Sequence, residues 1–240
     1  MTFSNEVYII SVDLGTSSVR ACLVSNALNI TYQVSQPIPL ITDEDGQAEQ
    51  DAESILHIAI DSINQVLQWA ADHNIHPQAL SFSNANGSLV CLDSKFKPIR
   101  PALTYLDMSA SQQAQALIET YGRAHFRSSA TPIHATYWPS KFLWMRQTGW
   151  ISSECRYFCT IKDLLVTRLT GQFAIDYSNA VATGMANVET GNWDECLLDA
   201  IGITIDQLPK ILPTTSVLEI STRGQVALHQ SAKRIQIVLG

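Results

Sequence analysis

The sequence predicts an α/β domain whose mixed sheet opens with three antiparallel strands and is flanked by helices. Three observations predict it. Apolar runs over 7–12, 19–24 and 30–35 are joined by links so short that they suit antiparallel hairpins. A single long stripe of apolar residues at helical spacing follows them, and after it strand-like and helix-like segments alternate to Gly240. Composition allows such a domain, because 240 residues with 46% hydrophobic and only 15% charged side chains hold ample core material and no sign of disorder.

The link between the first two strands reads Asp13-Leu14-Gly15-Thr16-Ser17-Ser18. Gly15 permits a tight turn and a close approach of backbone to a ligand. Thr16, Ser17 and Ser18 supply hydroxyls and consecutive backbone N–H groups of the anion-binding kind. Asp13 would repel a bare phosphate, so its place makes best sense with a hydrated Mg²⁺ between the two. The same residues also suit a plain strand–turn–strand. Both readings stand on these residues alone.

Asp45-Gly46 marks a turn, and a helix then starts with Asp51 as N-cap and Glu53 in its first turn. Ile55, Ala59, Ile63, Val66, Leu67 and Ala70 form its apolar stripe, His57, Asp61, Gln65 and Gln68 face water, and residues 74–77 end it. Strands over 79–83 and 88–92 flank Asn84-Ala85-Asn86-Gly87, where Asn-Gly is also a hairpin signal. Helices are expected over 109–121, 140–147, 161–169 and 193–201, the last two closed by Gly171 and Gly202, and strands over 156–160 and 235–239. Three antiparallel strands, a helix and then mixed elements describe the actin-like, ribonuclease-H-like arrangement of an ATP-using domain. A doubly wound fold would alternate strand and helix from the start. Neither Gly-x₄-Gly-Lys nor Gly-x-Gly-x-x-Gly occurs.

A formal net charge of −7 argues against a nucleic-acid groove or an anionic membrane surface as partner. Residues 1–12 carry no Lys or Arg, and no apolar run approaches ~18 residues, so neither a secretory signal nor a membrane span is expected. The five cysteines are an odd number, and a reducing, cytoplasmic setting fits them best. His125 and His134 read as surface or packing residues, and Trp138, Trp144, Trp150 and Trp193 as core anchors.

In order along nearly the whole chain, these segments resemble the N-terminal domain of the FGGY carbohydrate kinases. Asp13-Leu-Gly-Thr-Ser-Ser-x-Arg20 resembles the family's first phosphate motif, and Glu49-Gln50-Asp51 its Glu-Gln-Asp-Pro lead into the long helix. Thr104-Tyr105-Leu106-Asp107 stands where the family has Trp-x-Asp-x-Arg, and Lys141-Phe-Leu-Trp144 resembles its Lys-x-x-Trp helix. Lys162-Asp163, Leu169-Thr-Gly171, Asp176-Tyr-Ser178 and Trp193 follow the family's closing signature. Two departures stand out. The sugar loop reads Ser83-Asn84-Ala85-Asn86-Gly87 in place of a Gly-Gln-x-His-Gly pattern, and Ser109 replaces the Arg, which removes a bidentate partner for an acidic sugar.

The resemblance implies phosphoryl transfer from ATP, with Mg²⁺, to a sugar or polyol. It implies nucleotide phosphates at Asp13, Gly15, Thr16, Ser17, Ser18 and Arg20, with Asp13 reaching the metal through water. Sugar contacts are implied at Asn84, Ala85, Asn86, Tyr105 and Asp107, while Asp176 and Ser178 order a connecting loop. The proton-accepting Asp and the adenosine pocket belong, in the family, to a second domain beyond Gly240. Residues 1–240 are therefore expected to be the N-terminal, sugar-binding domain, with no catalytic base of its own. A homodimer is compatible with the family and nothing in the sequence selects it. Two other readings are a non-catalytic sugar-sensing module on a kinase scaffold and another actin-like ATPase.

Overall fold

A computed structural model describes residues 6–122, 127–229 and 235–240; His125 lies outside them. Its main sheet holds β1 (Tyr8–Leu14), β2 (Ser18–Ser25), β3 (Ile30–Pro37), β4 (Ala79–Asn84), β5 (Val217–Glu219) and β6 (Gln236–Val238), in spatial order β5-β6-β4-β1-β2-β3. The first three strands are antiparallel neighbours, β4 runs parallel to both β1 and β6, and β5 is an antiparallel edge. The mixed sheet that the strand spacing predicts is the one observed. Period-2 alternation sets its faces: Ile10, Val12 and Leu14 of β1, with Val19, Ala21 and Leu23 of β2, are buried. Asp13 and Arg20 lie between them on the opposite face, paired directly across the ladder.

Helix α1 (Ala52–Asp72) covers the inner face of β1–β3. Asp51 caps it by accepting the Ser54 N–H at 3.0 Å, and every predicted stripe residue from Ile55 to Ala70 is buried. Helix α4 (Ile161–Thr170) joins this core through Leu164, Leu165 and Leu169. It starts with a capping box between Thr160 and Asp163 and ends on Gly171 in the left-handed region.

A second apolar cluster lies beneath α3 (Trp138–Gln147), small two- and three-stranded sheets and α6 (Glu195–Ile201). Trp138 and Trp193 anchor it, and each buried indole N–H finds a carbonyl, Ser88 at 3.0 Å and Pro209 at 2.9 Å. Helix α2 (Ser111–Tyr121) packs on α3. Two expectations are corrected here. The Asn-Gly segment is not a hairpin turn, because β4 pairs within the main sheet while Val90–Leu92 pairs with Tyr157–Cys159. The helix expected over 193–201 starts at Glu195, since Trp193 pairs with Ala186 in a short ladder and Asp194 supplies the cap.

Candidate functional site

Strands β1 and β4 end at the same level. Leu14 stands beside Asn84, and the Ala85 N–H donates to the Leu14 carbonyl at 2.9 Å. The segments that follow two parallel neighbours must emerge on the same edge, which is where open α/β sheets place ligands. The turn after β1 and the loop after β4 therefore flank one cleft. Gly15, Thr16, Asn84, Ala85 and Tyr105 line it, together with Gln50, Ser88, Thr104 and the apolar Leu14, Ile55 and Ile161. Two motifs nearly seventy residues apart in sequence thus share a wall of the same depression.

In the first motif the Gly15 N–H donates to the Ser18 carbonyl at 3.0 Å and closes the turn. A Cβ on Gly15 would sit 3.0 Å from that carbonyl, so a side chain would push the turn apart. The Ser17 carbonyl accepts from the Ile38 N–H at 3.0 Å, and the Thr16 carbonyl accepts from the Gln50 side chain at 2.7 Å. With both carbonyls fastened, the N–H groups of Thr16 and Ser17 have no partner among the described residues. Successive unengaged amides on a fixed turn are what an anion cradle requires.

Asp13 and Arg20 do not line this cleft. The Arg20 guanidinium lies 2.9 Å from the Asp13 carboxylate, with side-chain exposures of 56% and 37%. Arg20 is therefore engaged by its cross-strand partner and is not aimed at the turn. Ser17 and Ser18 are also absent from the lining, although Ser18 closes the turn through its carbonyl.

In the second motif the Asn84 side-chain amide donates to the Ala85 carbonyl at 3.0 Å, leaving its oxygen for a ligand. Asn86 is exposed and outside the lining. Gly87 holds φ at +79°, and a Cβ there would meet the Tyr105 Cβ at 3.4 Å, so this loop and the Tyr105 turn touch. Tyr105 is 42% exposed beside them. Asp107, expected as a sugar contact, is fully buried; one oxygen accepts from the Ala48 N–H at 3.1 Å and the Ser109 hydroxyl at 3.0 Å, and the other has no hydrogen-bond partner among the described residues. Burial, and then the Asp107 charge, push the neighbouring Glu49 carboxyl above its usual range.

Gln50, expected only as part of the Glu49-Gln50-Asp51 lead into α1, also borders the depression. Two fully buried lysines also carry more than motif status. Lys162 pairs with Asp176 and donates to the Leu239 carbonyl at 2.9 Å, tying the start of α4 to the end of β6. Asp176 also accepts from the Asn179 N–H at 3.1 Å and so caps α5 (Tyr177–Ala182). Burial works to raise the Asp176 carboxyl, but the Lys162 ammonium and the Asn179 donors outweigh it and hold it below the carboxylate range. The five cysteines are free thiols, and no described helix is long and apolar enough to cross a membrane.

Residues 8–239 match the family model described as FGGY family of carbohydrate kinases, N-terminal domain. The chain is similar to a Gluconokinase of Bacillus subtilis (strain 168), 32% identical over 214 residues, which cover 88% of this chain and 41% of that protein. It is also similar to a Xylulose kinase of Lactococcus lactis, 28% identical over 210 residues, covering 87% and 42%. Among solved structures, a gluconate kinase from Lactobacillus acidophilus superposes with a TM-score of 0.90 at 29% identity, over 98% of this chain and 48% of that one. The chain spans about two fifths of the length of the curated relatives it matches.

Proposed function

We propose, from the premise that this chain belongs to the FGGY family of carbohydrate kinases, that it serves the transfer of the γ-phosphoryl group of Mg·ATP to a hydroxyl of a sugar or polyol. The observation that carries this reading is adjacency at one sheet edge: the Gly15–Thr16 turn and the Asn84–Ala85 loop with Tyr105 border one small depression of about 20 Å³. Phosphoryl transfer needs the nucleotide's phosphates and the acceptor hydroxyl held together, with charge neutralised at the phosphates.

The unengaged N–H groups of Thr16 and Ser17 would cradle a phosphate, and Gln50 keeps them oriented by fixing the Thr16 carbonyl. Asp13 fits a hydrated Mg²⁺, because that ion keeps most of its waters and takes one or two carboxylates alongside phosphate oxygens. Such an ion would neutralise phosphate charge, and Arg20 would balance the same carboxylate in its absence. Asn84 and Asn86 offer amides, and Tyr105 a phenol and a ring face, to acceptor hydroxyls. Asp107 would hold the turn that carries Tyr105, through its N–H on the Thr104 carbonyl and its carboxylate on Ala48 and Ser109. The residues that line the depression on this domain offer hydroxyl and amide partners.

With the proton acceptor assigned by the family resemblance to a second domain, these residues would bind and orient the acceptor and would not take its hydroxyl proton. The testing experiment is calorimetry of the 240-residue chain with glycerol, xylulose, ribulose and gluconate, followed by an assay for transfer from Mg·ATP. Binding of a neutral acceptor without transfer above ATP hydrolysis is expected. Transfer by this chain alone would overturn the binding-only role of the cleft, and failure of every acceptor to bind would overturn the site.

A further inference from the structure

Lys141 is fully buried in α3, yet among the described residues its ammonium is in no ion pair. Its Nζ donates to the carbonyl oxygens of Gly87, at 3.3 Å, and of Thr104. Burying an ammonium is costly, and an apolar side chain of similar volume would often fill such a place more stably. The burden is visible in the group itself, since burial draws its pKa down to about 8 against an opposing pull from Asp107. A cation here does two things that a methionine could not: it offsets the charge of the buried Asp107 carboxylate, and it grips carbonyls from two separate loops.

Those loops are the ones that matter to the acceptor. Gly87 closes the Asn84–Asn86 segment, and Thr104 begins the turn that presents Tyr105. The same Thr104 carbonyl accepts the Asp107 N–H at 3.2 Å, and the Asp107 carboxylate holds Ala48 and Ser109. Tyr105 is thus half-exposed on a four-residue turn whose two ends are both fastened underneath. We propose that Lys141 is a positioning residue for acceptor selection, setting the spacing between the Asn84–Asn86 loop and Tyr105 without touching the acceptor. This inference rests on the acceptor-site reading above.

The test compares wild type with Lys141→Met and Lys141→Gln in the intact protein, by hydrogen exchange and by calorimetry with acceptor and with Mg·ATP. Exchange is expected to quicken at residues 85–88 and 104–107, while β1, β2 and α1 keep their protection. Acceptor Kd is expected to rise about tenfold in Lys141→Met, and less in Lys141→Gln, which retains a donor, with nucleotide Kd unchanged. If Lys141→Met does not fold, Lys141→Gln decides by the same two measurements. Unchanged acceptor Kd with unchanged loop exchange overturns the proposal, as does a uniform loss of protection with both affinities falling together. If wild type binds no acceptor, the reading of the site fails, and loop exchange alone then decides whether Lys141 ties the two loops.

Discussion

The Gln50 side chain donates to the Thr16 carbonyl at 2.7 Å, which makes the segment leading into α1 and the turn after β1 one mechanical unit. Replacing Gln50 by an apolar residue takes the donor away from the Thr16 carbonyl, and the turn loses its only side-chain brace among the described residues. Gln50→Leu is expected to cost about 1–2 kcal/mol in urea unfolding. It should also weaken Mg·ATP binding more than acceptor binding, as read by calorimetry. Equal weakening of both would show that Gln50 supports the whole cleft and not the turn.

Asp13 and Arg20 form a partly exposed cross-strand pair, a class of contact that contributes about 0–1 kcal/mol. Asp13→Asn should therefore leave the melting temperature nearly unchanged while removing the one carboxylate at the end of β1. In wild type, chelating Mg²⁺ is expected to reduce ATP affinity. In Asp13→Asn the affinity should already be low and should no longer respond to chelation. A variant that keeps its full response to Mg²⁺ would remove Asp13 from the metal's shell.

Lys162 and Asp176 are both fully buried, so removing one partner strands a charge in the interior. Lys162→Met is expected to destabilise the chain by about 3–5 kcal/mol in urea unfolding. The double variant Lys162→Met with Asp176→Asn should recover much of that, because Asn still caps α5 and carries no charge. A double variant as unstable as the single one would mean that the Leu239 carbonyl, and not Asp176, is the partner that matters.

The fold was legible wherever a signal was local. The β1–β3 hairpins, the Asp51 cap with its apolar stripe and the Gly171 stop each follow from a few adjacent residues, and each is present. Strands of two or three residues, such as Ala102–Leu103 and Ala174–Asp176, went unseen because so short a segment has no period to read. In the site, the residue types named the chemistry, but their partners came from afar. Asp107 and Ala48 are held together across 59 positions, and Lys141 meets Gly87 across 54. Sequence motifs showed these residues as distinctive without showing that one is a buried support and the other a buried cation. The hairpin alternative at Asn86-Gly87 did not materialise, since β4 pairs with β1 and not with the strand that follows the loop.

Lys141 also gives stability a pH dependence with a definite sign. Its pKa in the folded protein is about 8, held down chiefly by burial, whereas an unfolded lysine titrates near ~10.4. Between those values the unfolded state keeps a proton that the folded state has released, so stability rises with pH across that window. Below pH ~8 both states are protonated and the cost of burying the charge is constant. A neutral amine retains two N–H donors, enough for Gly87 and Thr104, so the loops stay fastened as the charge leaves. The stability of wild type relative to Lys141→Met is expected to climb from pH 8 to 10.4, by at most about 3 kcal/mol, and to be flat between pH 6 and 7.5. Subtracting the variant cancels the titration of tyrosines, cysteines and the other lysines. Denaturant melts of the two proteins at half-unit steps would measure the difference, and a difference that falls as pH rises would place the charged form, and not the neutral one, as the state the fold prefers.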